Sequence, residues 1–176
     1  MKPTLVLAIV GTSMLAGTAG FSQDASAEDI LATLKGVAPA SILQNATLVQ
    51  VTAEGMKTVR EGSNGWTCMK PGTNPMCADA GGVEFMHALM SKGEAPQKLG
   101  FIYMLLGDEG VSNTDPFATE KTADNNWIAT GPHVMIVGAE AKSLLKGYPR
   151  EAAADAERPY VMWAGTPYEH LMLNTE

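Results

Sequence analysis

Tyr160-Val161-Met162-Trp163-Ala164-Gly165-Thr166-Pro167-Tyr168-Glu169-His170-Leu171-Met172-Leu173 is the stretch that decides the fold class. Tyr160–Ala164 and Tyr168–Leu173 each read as a strand with apolar residues on both faces, and Gly165-Thr166-Pro167 reads as the turn between them. A parallel pair needs a crossover of a dozen or more residues, so this short link forces the two strands antiparallel. Phe101–Leu106 and His133–Val137 are two further strands of the same two-faced kind. Strands apolar on both sides imply a sheet that is covered on both sides.

Helical spacing surrounds these strands. Gly81–Lys92 is the clearest helix, with Val83, Met86, His87 and Met90 near one stripe and Phe85 and Leu89 beside it. Ala139–Leu145 reads as a short helix, Glu28–Lys35 as another, and Pro39 opens a short turn through Leu43. The front of the chain reads as a small meander. Asn45–Val51 alternates like a strand, Glu54-Gly55 turns into Met56–Arg60, and Gly62–Gly65 turns into a third strand, Trp66–Met69. Residues 107–131 show no period, and loops of that length in compact domains are often functional. The expectation is a single α+β domain with a mixed, mostly antiparallel sheet covered on both faces and two or three helices.

The first residues read as an export signal. Lys2 supplies a positive start, Leu5–Ala19 is an apolar run, and Ala25-Ser26-Ala27 is a small-x-small cleavage site. The run is too short and too rich in glycine for a membrane span, and no cysteine beside the cleavage site offers a lipid anchor. Residues 1–27 are therefore expected to be removed, leaving 28–176 as one globular domain, periplasmic or secreted. The net charge of −7 argues against nucleic acid and anionic lipid as partners. Cys68 and Cys77 enclose a segment rich in Pro, Gly and Asn, so in an oxidising compartment they are expected to form a disulfide.

Three histidines, His87, His133 and His170, each have a methionine placed to share a face. His133 and Met135 are two apart on a strand, as are His170 and Met172; His87 and Met90 are three apart on a helix. Imidazole with thioether is a donor set suited to copper, Cu(I) above all. Methionine and histidine also serve as ordinary core residues, and no compact HxH or HxxxH motif fixes two ligands in advance. For acid–base chemistry the candidates are His170 and Tyr168 on one strand, with Asp115 from the turn-rich string Ser112–Phe117. Asp108, Glu109, Asp115 and Asp124 lack the ligand spacing of an EF-hand. There is no GxSxG and no phosphate-binding glycine loop. Trp163 reads as core, and Trp127 as either a lid contact or simple packing.

The chain resembles a group of small exported bacterial proteins of unassigned function. The likeness rests on Asn64–Cys68, Pro75–Cys77, Ser112–Ala118, Pro132–Met135 and Met162–Met172. It implies an exported domain and brings no activity or ligand with it.

These readings lead to a soluble periplasmic protein that binds a small ligand or a metal ion. Its pocket would lie between the sheet and the long loop, lined by His87, His133, Tyr168 and His170 with Asp115 and Trp127. In the metal version copper sits among His87, His133, His170, Met90, Met135 and Met172. An acid–base enzyme acting on a small substrate through His170, Tyr168 and Asp115 is the alternative. A purely structural or interaction protein is a third, and it predicts an exposed apolar patch and no pocket. Mass spectrometry of protein from the exported fraction of its native cell is expected to give a chain starting at Glu28 with Cys68 and Cys77 joined. An intact chain in the cytosol with both thiols free would overturn the export reading.

Overall fold

The computed structural model describes residues 25–52 and 55–176. The leader's positive start and apolar run, and Glu54 of the expected hairpin turn, lie outside the described residues. Eight strands form one mixed sheet in the order β2-β1-β3-β4-β5-β8-β10-β9. They are β1 (Thr47–Thr52), β2 (Gly55–Arg60), β3 (Thr67–Met69), β4 (Met76–Ala78), β5 (Gly100–Met104), β8 (His133–Val137), β9 (Tyr160–Met162) and β10 (His170–Asn174). Between β5 and β8, the short strands β6 (Val111–Ser112) and β7 (Trp127–Ile128) pair as a separate ribbon. The helices are α1 (Ala27–Thr33), α2 (Ala40–Leu43), α3 (Ala80–Ser91) and a 3₁₀ helix, Ala139–Leu145. None of the described helices is long and apolar enough to cross a membrane.

The expected α+β domain is present, and β9 and β10 are antiparallel as the short link requires. The front differs from a meander in one respect. β3 pairs with β1, not β2, and runs parallel to it. The chain leaves β2 and passes back across the start of β1, where the Ser63 N–H donates to Asn45 O and the Thr47 N–H donates to Trp66 O, each at 2.8 Å. Gly62 makes this crossing fit, since a Cβ there would lie 2.2 Å from Thr47 N.

Both faces of the sheet are covered. On one side Leu48, Cys68 and Cys77 pack under α1 and α2 around Ile30, Leu34 and Val37. Farther along that side Val161 and Leu171 pack on Leu145 of the 3₁₀ helix. The other side carries the larger core, under α3 and the segment after β5. Cys68 and Cys77 face each other across β3 and β4 and form the disulfide. Closing so short a loop stabilises by roughly 2–3 kcal/mol in the chain-entropy account. The helix α1 is capped by Ser26, whose hydroxyl accepts from the Asp29 N–H while the Asp29 carboxylate accepts from Ser26 N and Oγ. A cut after Ala27 removes this cap, at a cost of about 1 kcal/mol, and leaves Ile30 and Leu34 in the core.

The placement of α3 depends on glycine. Asp79 caps the helix and ties it to β5, its Oδ1 accepting from Gly82 N at 2.8 Å and Phe101 N at 3.0 Å. Helix and strand then meet backbone to backbone. A Cβ on Gly81 would sit 2.2 Å from Leu99 O, and one on Gly100 would sit 2.2 Å from Gly82 N. This contact turns Phe85 and Ala88 into the core and leaves His87 and Met90 outward. The stripe expected to hold His87 and Met90 is thus displaced to the Phe85 side, because glycine lets the helix approach there. Gly100→Ala is expected to cost about 1–3 kcal/mol in a denaturant melt by overpacking. A variant as stable as the parent would mean that α3 does not rest on β5 in this way.

Candidate functional site

Strand register collects the chemistry on one face. His133 faces Met104 across β5 and β8, Met135 faces Met172 across β8 and β10, and Met162 faces His170 across β9 and β10. Side chains alternate along a strand, so His133, Met135, His170 and Met172 all point to the same side. That side lines a cavity of about 220 Å³, with Met76, Met86, Met104 and Met162 also in its wall. Ligand sites for drug-sized molecules run to ~300–1,000 Å³, so this one suits an ion or a very small molecule.

Both imidazoles in the wall are fully buried and held in one tautomer. His133 Nδ1 lies 2.7 Å from Gly131 O, and His170 Nδ1 lies 2.9 Å from Tyr168 O. A carbonyl only accepts, so each Nδ1 carries the proton and each Nε2 presents its lone pair. Neither Nε2 has a hydrogen-bond partner among the described residues. Burial keeps both rings neutral. It pushes His133 below the usual imidazole range and His170 down to about 4, and repulsion between the two rings would add to this if both were protonated.

The two histidines stand at different levels of the sheet. Asn174 faces His133, and Leu171 faces Ile136, so His170 lies four residues from the level of His133. That is ~14 Å of strand. The His170 end is aromatic. Trp163 stands edge-on to His170 at 4.9 Å between centroids, and Phe85 at 5.5 Å. Trp163 takes a φ of 53°, which a bulky side chain rarely adopts. Two hydrogen bonds hold it there: its backbone N–H donates to Asn113 O at 3.2 Å and its indole N–H donates to Ser112 O at 2.7 Å. The segment after β5 therefore acts as a brace for the pocket wall.

The His133 end is polar. Asp108 Oδ1 accepts from Gly110 N at 2.7 Å and Thr130 N at 3.2 Å, and its Oδ2 lies 3.9 Å from His133 Nε2. Thr130 also bonds the Tyr160 hydroxyl at 2.9 Å. Burial raises the Asp108 carboxyl above the ordinary range, and it pushes the Tyr160 hydroxyl up to about 12. Asp108 and His133 form an ion pair only when the ring is protonated, and burial opposes that.

Of the residues expected from sequence, the structure brings together His133, His170, Met135 and Met172, with Asp115 at the rim. His87 and Met90 lie on the exposed face of α3, away from the pocket. Tyr168 precedes β10 and is buried, but its hydroxyl donates to Ala88 O and Gly93 O and is committed to the core. Trp127 packs over Gly110 in the β6/β7 ribbon and does not line the cavity. Asp115 is exposed, and its Oδ1 accepts from Phe117 N at 2.9 Å. His170, Tyr168 and Asp115 are thus not assembled as an acid–base set. Asp108, Met76, Met86, Met104, Met162 and Trp163 were missed as site residues. Met104 and Met162 carried a readable signal, since each stands on a strand of alternating, two-faced character. Comparison with protein-family models, curated protein sequences and solved structures finds no match to the chain.

A histidine whose folded pKa is depressed leaves the unfolded chain to take up the proton first. Between the usual value of 6.5 and about 4, His170 therefore removes stability as pH falls. The denaturation midpoint is expected to drop across that window, and His170→Phe is expected to flatten the drop. An equal slope in the variant would assign the pH dependence elsewhere.

Proposed function

We propose that this is an exported metal-binding protein whose pocket takes Cu(I). The observation that carries the reading is the pair of fully buried imidazole Nε2 atoms, lone pairs free, in a cavity walled by methionine sulfur. Thioether and neutral imidazole select a soft, monovalent copper ion over harder cations. A Nδ1–H held by a backbone carbonyl is the support commonly found behind metal-bound histidine. An ordinary core leaves few such buried atoms unpaired, because each costs about 1–3 kcal/mol.

The directly opposed Met135 and Met172, with His170 beside Met172, form the Cu(I) centre of this reading. The small volume and the apolar wall fit a bare ion better than a polar metabolite. The expected disulfide and the leader fit a compartment outside the cytosol. The presence of a pocket speaks against a purely structural role, which predicts none.

Anaerobic titration with Cu(I) against a chromogenic chelator is the test. Wild-type protein is expected to take up the ion stoichiometrically, and His170→Ala and the pair Met135→Leu with Met172→Leu are each expected to weaken it by about tenfold or more. Uptake no greater in wild type than in the double methionine variant would end the reading.

A further inference from the structure

The His133 end of the pocket has a donor set unlike the methionine pair at its middle. Its Nε2 lone pair faces a carboxylate oxygen, Asp108 Oδ2, across 3.9 Å. With the ring neutral and the carboxylate ionised, both atoms are acceptors, and two buried acceptors facing each other repel unless a positive centre stands between them. The separation is too long for a direct hydrogen bond. It falls within the range that two bonds to one metal ion can span. Metal–nitrogen and metal–oxygen bonds of ~2.0–2.1 Å put the two ligand atoms ~3.3 Å apart at a tetrahedral angle and ~4.1 Å apart in line.

Both side chains are already held as metal ligands usually are. The His133 ring is fixed by its Nδ1–H to Gly131 O, and Asp108 is fixed by two backbone N–H groups on its other oxygen. The His133 side chain is fully buried and that of Asp108 is 5% exposed, so neither is a surface group found near a partner by chance. Met104 stands directly across from His133 on β5 and lines the same cavity.

We propose that this end of the pocket is a second site, for a borderline divalent cation, bonded by His133 Nε2 and Asp108 Oδ2 with the Met104 thioether alongside. A carboxylate and an imidazole suit the divalent ions, and among first-row metals Cu(II) binds such sets most tightly. A divalent charge also offsets the burial that otherwise drives both groups to their neutral forms. Register sets His133 four residues from the level of His170, and the oxygen donor beside its Nε2 is Asp108.

The probe is Cu(II) alone, added to the full exported protein carrying His87→Ala, which removes the exposed imidazole on α3. Electron paramagnetic resonance is expected to show one bound ion coupled to one imidazole nitrogen. Asp108→Asn keeps an oxygen for the Gly110 and Thr130 N–H groups and removes the charge. It is expected to weaken Cu(II) by about tenfold or more while leaving the near-ultraviolet circular dichroism unchanged. His133→Ala is expected to abolish the nitrogen coupling. The site is overturned if Asp108→Asn binds Cu(II) as the parent does, if the coupling survives His133→Ala, or if no Cu(II) is retained once His87 is gone. Loss of Cu(I) uptake alone, with Cu(II) still dependent on Asp108, would sink the central methionine reading and leave this one standing.

Discussion

The pairing of β8 with β5 on one side and β10 on the other is the constraint from which the pocket follows. Backbone hydrogen bonds fix the register, and register fixes which side chains share a face. A slip of one residue on β8 would turn His133 and Met135 to the opposite side, under the 3₁₀ helix, and bring Val134 and Ile136 into the cavity. Nothing in the composition of these strands forbids that slip, since both of their faces are apolar. It is prevented by what lies beyond them: Asp108 is tied to Thr130, and Gly131 O holds His133, so the segment entering β8 arrives already aligned.

The face opposite the pocket supports it indirectly. Cys68 and Cys77 point under α1 and α2, while their chain neighbours Met69 and Met76 point into the larger core. The disulfide thus holds β3 to β4 at the level where Met76 meets the cavity wall. α3 closes the other side through its backbone contact at Gly81, Gly82 and Gly100, and that contact places Met86 and Leu89 over the sheet. A staple on one face and a glycine contact on the other hold the same wall.

Several features of this wall are costly to stability. Two buried imidazoles have an unpartnered nitrogen, a buried carboxylate faces one of them, and Trp163 holds a backbone conformation that bulky residues rarely adopt. Apolar residues of equal volume would avoid the first two costs. These features meet in one small cavity.

The sequence by itself determined the two-faced strands, the antiparallel close of β9 on β10, the helix after Asp79 and the disulfide, because each depends on local spacing or on a short link. It also marked His133, Met135, His170 and Met172, since a period of two along one strand settles which neighbours share a face. Only the tertiary structure decided which faces meet. Asp108 lies far from His133 along the chain, and the two approach because the segment after β5 folds back through Thr130. His87 and Tyr168 were lost from the site for the converse reason. A helix periodicity gives a stripe but not the face that glycine contacts will bury, and a tyrosine's spacing does not reveal that distant carbonyls, Ala88 and Gly93, take its hydroxyl. Long-range approach depends on close backbone packing and hydrogen-bond partners supplied by other elements, and those are properties of the assembled fold.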